Sequence, residues 1–235
     1  MNQYNNARGS FNYSIKRSNR KTVSIIVEAD SSVRILAPSK MNQTAIEALL
    51  DKKTEWITTH LDKMANRKVV PLAFETGNHM LYLGDSLRLK VITVIGKREE
   101  KIFVSGGVIS AYTSNAAPEY VKKNLTNWFR LRSEEIINER VAFYTQKMGK
   151  IPNRVVVKTQ TKRWGSCSSK RDIFLNWRLV FAPIEVIDYV IIHELCHLVF
   201  MNHSSNFWHL VETYDSKYKT HRSWLKENGQ QLFQM

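Results

Sequence analysis

Two histidines and a glutamate stand in one short stretch, His193-Glu194-Leu195-Cys196-His197, inside a run that is otherwise almost wholly apolar. On a helix, residues four apart stack one turn above the other, so His193 and His197 can offer ring nitrogens to one ion. Glu194 lies about 100° round the helix from His193, where a carboxylate can reach a metal-bound water without being a ligand. By composition alone the spacing would arise by chance roughly one time in a hundred. Its setting gives it more weight. The segment 184–200 carries Val186, Ile187, Val190, Ile191, Ile192, Leu195, Leu198 and Val199 on nearly every face, which describes a buried helix. Burying a polar group without a partner costs about 2–7 kcal/mol, and metal ligation satisfies two imidazoles at once.

A hydrolytic zinc site needs a third protein ligand and one open position. His203 is the first candidate. The spacing predicts that the helix ends near Met201-Asn202, because Asn tolerates the left-handed closing conformation, and that Ser204-Ser205 opens a new helix. The corner between them could swing His203 back to the ion. The following segment repeats Phe207, Leu210, Val211 and Tyr214 at helical spacing, and its polar members Glu212 and His209 are alternative third ligands with a longer reach.

The elements that must position these residues fall into two parts. Residues 1–113 read as a β-rich domain with one helix. Segments 22–27 and 33–36 are strands around a turn at Asp30-Ser31-Ser32. A helix over about 42–65 follows, with Thr44 and Glu47 as a capping box and Ile46, Leu50, Ile57, Leu61 and Met64 on one face. After Pro71 come short strands at 80–83, 87–95, 101–104 and 108–112, turning at Gly84-Asp85 and Gly106-Gly107. Residues 114–235 form the second domain. A long amphipathic helix begins at Pro118 and closes at Gly149, strands follow at 154–159, 161–167 and 173–181, and Pro183 opens the metal helix at its first position. The expected class is α+β, and no internal repeat or low-complexity segment stands out.

The net charge of +14 favours polyanions in general, yet it is spread as +6, +1 and +7 over residues 1–70, 71–113 and 114–235. One concentration lies between Arg154 and Arg178, where seven cations face only Asp172 and Trp164, Phe174 and Trp177 interleave, a mixture that could suit single-stranded nucleic acid. The plainer reading, a hairpin with a solvated basic face, is preferred. Two cysteines, Cys167 and Cys196, are too few for a secreted disulfide scaffold. The first six residues show no signal-peptide pattern and no apolar run reaches membrane-spanning length, so a cytoplasmic location follows by default and no membrane partner is expected.

Several motifs together resemble the YgjP-type zinc metallopeptidases: Arg163-Trp164-Gly165-Ser166-Cys167, Leu175-Asn176-Trp177-Arg178-Leu179, Asp188-Tyr189-Val190, His193-Glu194-Leu195-Cys196-His197, and Asn202-His203-Ser204 with Phe207-Trp208. Phe11-Asn12-Tyr13, Ala37-Pro38, Trp56-Ile57 and Tyr82-Leu83-Gly84 extend the resemblance over nearly the whole chain. Phe200 departs from it, at a position often basic or polar in relatives. The group is related to the SprT-like and WLM zincins. The resemblance implies a zincin-like domain behind the β-rich one, a single Zn2+ held by His193, His197 and His203, and Glu194 as general base acting on a zinc-activated water. It implies a protein or peptide substrate lying along the strands near Trp164 and Asn176, with Arg163, Trp164 and Asn176 as contacts. For each of these three a structural place is equally open: solvated charge, core ring and turn cap. Two other classes stand beside the peptidase. One is a nucleic-acid-associated protease of SprT-like type. The other is a non-catalytic protein whose zinc is structural, closed by Cys167 or a carboxylate.

Overall fold

A polar run, Asn2-Gln3-Tyr4-Asn5-Asn6, opens the chain as a strand because one side chain in it has a core to enter. In the computed structural model, which describes residues 2–28, 32–65, 73–94 and 100–233, β1 (Asn2–Asn6) pairs antiparallel with β2 (Gly9–Ser18) and sets Tyr4 opposite Phe11. β4 (Val33–Pro38) lies parallel to β2, and β3 (Ser24–Val27) closes the sheet antiparallel to β4, giving the order β1-β2-β4-β3. Alternate residues Phe11, Tyr13, Val33, Ile35 and Ala37 point to one face, and helix α1 (Gln43–Ala65) buries Ile46, Leu50 and Ile57 with them. The cap of α1 is Asn42, whose Oδ1 accepts from the Ala45 amide at 2.8 Å, rather than the Thr44–Glu47 box expected from sequence. Glu47 instead accepts from Gln43 Nε2. The turn at Asp30-Ser31, Pro71, Ile95 and the side chain of Met64 lie outside the described residues.

The same arrangement then occurs a second time. β5 (His79–Tyr82), β6 (Asp85–Thr93), β7 (Lys101–Ser105) and β8 (Val108–Thr113) form the order β5-β6-β8-β7, again antiparallel, parallel, antiparallel, and helix α2 (Pro118–Met148) follows. The register repeats residue by residue. Met80 faces Leu87 as Tyr4 faces Phe11, and Leu89 faces Ile109 as Tyr13 faces Val33. Val121 and Leu125 are buried on α2 as Ile46 and Leu50 are on α1.

The chain divides into two compact units, Met1–Val70 and Pro71–Met235. The second sheet therefore groups with the C-terminal elements, whereas the sequence reading placed residues 71–113 with the N-terminal part. The physical reason lies at the β5–β6 turn. Leu83 and Gly84 donate their amides to the carbonyls of Val180 and Phe181, at 2.8 and 3.3 Å. Gly84 sits at φ +89° against Pro183, where a Cβ would meet the ring at 2.8 Å. The strands are thereby fixed to the start of the helix that opens after Pro183.

Within the second unit, β9 (Arg154–Lys158) runs parallel to β11 (Asp172–Asn176), and β10 (Gly165–Cys167) runs antiparallel to β11 on its other side, leaving β10 at a sheet edge. The apolar run expected to continue as strand to Phe181 turns instead into a 3-10 helix, Trp177–Phe181, because the Asn176 side chain accepts from the Arg178 amide and ends the strand. Helices α3 (Ile184–Cys196), α4 (Ser205–Tyr214) and α5 (Tyr218–Leu232) complete a mixed α+β architecture with five α-helices among the described residues. Pro183 is the cap of α3, one position before the expected place. Asp188 on α3 accepts from Arg140 Nε at 2.7 Å and from the Tyr144 hydroxyl at 3.0 Å, tying α3 to α2. No described helix is long and apolar enough to cross a membrane.

Candidate metal centre

Helix α3 ends a turn earlier than its apolar composition suggests, and that early ending shapes the site. His197 is its C-cap, and the next amides tighten into i→i+3 bonds, Leu198 to Leu195 and Val199 to Cys196. The Phe200 carbonyl thereby turns back to the His197 ring, 2.9 Å from Nδ1. This bond puts the proton on Nδ1 and leaves Nε2 as a free lone pair, the arrangement a ligating histidine requires. The contact uses the main chain of Phe200, which any residue would supply.

The corner brings His203 back beside His193 and His197. His203 Nε2 lies 3.1 Å from His193 Nε2, and one nitrogen from each of His193, His197 and His203 falls within 4.8 Å of the others. Two nitrogens on a tetrahedral zinc, each at about 2.0–2.1 Å from it, stand roughly 3.3 Å apart, close to the 3.1 Å between His193 and His203. Ser204 Oγ accepts from the Phe207 amide and starts α4 directly after His203. Phe207, fully buried, packs against all three imidazoles with ring centroids 4.6–4.9 Å away. Trp208 also packs against His193 and His203, with ring centroids 5.7 and 5.5 Å away. His209 and Glu212 are exposed and stand outside the three-histidine group. Cys167 and every carboxylate also stand outside that group among the described residues.

Burial and the neighbouring imidazoles push the His193 ring down to about 3, and burial lowers His197 as well, so both are neutral bases at ordinary pH. His193 Nδ1 is buried and has no hydrogen-bond partner. A cluster of neutral, facing imidazoles held by aromatic rings is a poor structural element and a good cation cradle.

Glu194 lies on the next face of α3, 5% exposed, with Oε2 buried and unpartnered. Burial raises its carboxyl to about 8, opposed by the charge of Arg163. Gly165 on β10 makes room for it: a Cβ there would lie 2.5 Å from Glu194 Oε1 and 2.7 Å from Cγ. Beside this carboxylate opens a cavity of about 250 Å³, lined by Arg163, Trp164, Gly165, Tyr189, Val190, His193, Glu194 and Leu225.

Of the three residues expected along the substrate path, Arg163 and Trp164 line this cavity. Trp164 is stacked on Phe233, with centroids 4.5 Å apart. Asn176 does not line it. Its amide donates to the carbonyls of Gln160 and Arg163 at 2.8 and 3.0 Å, and its own N–H to the Trp164 carbonyl at 2.9 Å, so it fixes the loop that carries the other two. Sequence reasoning missed Tyr189 and Leu225 as lining residues and Gly165 as the clearance for Glu194. Gly165 lies within a motif already singled out, whereas Leu225 on α5 carries no local signal. Of the three aromatic rings of the basic segment, Phe174 and Trp177 are covered by the protein's own cations, with Lys158 3.7 Å above Phe174 and Arg178 4.7 Å from Trp177, and Trp164 packs on Phe233.

No curated protein matches the chain. A family model for the YgjP-like metallopeptidase domain matches residues 21–228. With the histidine cluster, the buried glutamate and the adjoining cavity all inside that span, the chain belongs to the YgjP-like family, whose domain is a metallopeptidase domain.

Proposed function

We propose that the protein is a zinc-dependent peptidase in which His193, His197 and His203 hold a single Zn2+ and Glu194 is the general base. The observation that carries this reading is the gathering of three imidazole nitrogens within 4.8 Å next to a buried, unpartnered carboxylate. A dication in that cradle would supply Lewis acidity and a positive charge that would keep Glu194 ionised. The rest is the work of the chain's own groups. Glu194 takes one proton from the attacking water as the water oxygen bonds to the scissile carbonyl carbon. It returns that proton to the amine nitrogen as the C–N bond breaks. Its apolar surroundings exclude competing water. β10 has a strand partner on one side only, so an extended peptide can pair with its free edge while Arg163 and Trp164 contact the side chains.

The absence of a cysteine or carboxylate from the histidine group among the described residues supports an open fourth position over a closed structural site. A nucleic-acid-associated role rests on net charge, since Phe174 and Trp177 are already covered by Lys158, Arg130 and Arg178. The test is Glu194→Gln. The variant keeps one zinc per chain by atomic absorption and loses hydrolysis of a mixed peptide library; undiminished cleavage would refute the assignment.

A further inference from the structure

The cavity next to Glu194 has walls of one kind and a mouth of another. Trp164, Tyr189, Val190 and Leu225 supply apolar surface, and the ionisable groups among its lining residues are the Tyr189 phenol, the His193 ring, Glu194 and Arg163. Arg163 is exposed, with no acidic side chain in ion-pair range among the described residues, and its guanidinium is felt at the Glu194 carboxyl. Its main chain is nevertheless fixed. The Arg163 carbonyl accepts from buried Asn176, the next carbonyl accepts from the Asn176 amide, and the adjoining Trp164 ring packs against Phe233 and Gly229 at the end of α5. A second cation, Arg222, stacks on Trp208 at 4.8 Å and acts on both His193 and Tyr189. Asp215 and Glu194 oppose Arg222 at Tyr189, so Arg163 is the cation among the residues that line the cavity, and its main chain is held in place. An exposed guanidinium without a carboxylate of its own offers a two-pronged donor to one brought by a ligand.

We propose that this cavity is a carboxylate-reading specificity pocket in which Arg163 pairs with an acidic group of the substrate next to the scissile bond. The substrate class is then peptides carrying that carboxylate either on a Glu side chain or at the free C-terminus, with the aliphatic stem against Val190 and Leu225. The proposal rests on the peptidase reading and deepens it.

The test uses equilibrium binding, so that it stands apart from turnover. Fluorescein-labelled peptides of otherwise uncharged sequence carry Glu or Gln at one position, each with a free or an amidated C-terminus. They are titrated against the full-length, zinc-loaded Glu194→Gln chain and followed by anisotropy. With Arg163 present, the member bearing the carboxylate binds about tenfold more tightly than its neutral counterpart. The Glu/Gln pair reports a side-chain source and the acid/amide pair a terminal one. In the Arg163→Gln background that ratio falls to about one, and in Arg163→Glu it inverts. A ratio of one with Arg163 present, a ratio untouched by either substitution, or no measurable binding by any peptide overturns the proposal. Failure of the peptidase reading has a different signature: the native zinc-loaded chain would cleave none of the peptides it binds, while the binding ratios stayed as described.

Discussion

Adding one methyl group at Gly165 should disable the base while leaving the metal in place. A Cβ at this position would lie 2.5 Å from Glu194 Oε1, 2.7 Å from Cγ and 2.9 Å from Cδ, all well inside the 3.4 Å at which ordinary contact begins. Relieving the worst of these needs a shift of about 0.9 Å, the difference between 3.4 and 2.5 Å. The strand cannot give easily, so the Glu194 side chain is the group that must turn aside, into the adjoining cavity. Gly165 is paired with Leu175 in the sheet, and the preceding Trp164 carbonyl is held by Asn176. Glu194 is buried on α3 among Tyr189, Val190 and Ile191. Overpacking of this kind costs about 1–3 kcal/mol of stability, and a misplacement of about 1 Å at a reacting group costs roughly 10²-fold in rate. Gly165→Ala should therefore unfold at lower urea and lose about two orders of magnitude in peptide hydrolysis. Its zinc content by atomic absorption should stay at the native ratio, since the three atoms nearest the new methyl all belong to Glu194. Gly106→Ala is the control. Its φ of +56° makes the substitution strained, but nothing lies within 4 Å of the added Cβ, so stability falls and hydrolysis does not. Native rate and native stability in Gly165→Ala, with zinc bound, would refute the reasoning.

Three further outcomes follow from the same geometry. His203→Ala should weaken zinc binding, measured by chelator competition, by more than the roughly 10–100-fold that losing a supporting partner costs. His209→Ala and Glu212→Ala should bind zinc as the native chain does, and the opposite ranking would reassign the third ligand. In the chelator-stripped protein, His193 stays neutral down to about 3 against an ordinary 6.5, so the unfolded chain binds the extra proton and stability falls as pH drops through that window. Glu194 holds its proton up to about 8 against an ordinary 4.5, so stability also falls as pH rises from 4.5 to 8. Urea midpoints should thus peak between pH 4.5 and 6.5, and Glu194→Gln should remove the alkaline decline; a decline that persists in the variant contradicts the assignment to Glu194. Asp188→Asn weakens the bonds from Arg140 and Tyr144 and should cost about 1–3 kcal/mol in urea unfolding with zinc retained. An unchanged midpoint would show that α2 and α3 hold together without it.

What could be read from the sequence was local, and what could not was tertiary. His193 and His197 are brought together by helical periodicity, and His203 by a corner six residues on that Ser204 closes, so three nitrogens converge through interactions short in sequence. Gly165 faces Glu194 across a sheet-to-helix packing that no periodicity encodes, and Leu225 reaches the cavity from a helix whose apolar spacing says only that it packs somewhere. The repeated sheet was hidden for a related reason. Its two copies agree in burial and register but not in chemistry: Tyr4, Phe11 and Tyr13 stand where Met80, Leu87 and Leu89 stand, so comparing residue types shows little while comparing pairings shows the same fold twice. Strand length failed where a single side chain decides it. The run from Ile173 to Phe181 is apolar enough for a continuous strand, yet the Asn176 amide both caps the following turn and secures the loop that carries Arg163 and Trp164. The residue that shortened the strand is thus the one that sets the wall of the cavity, and replacing it should disturb the site through Arg163 and Trp164 rather than through any contact of its own.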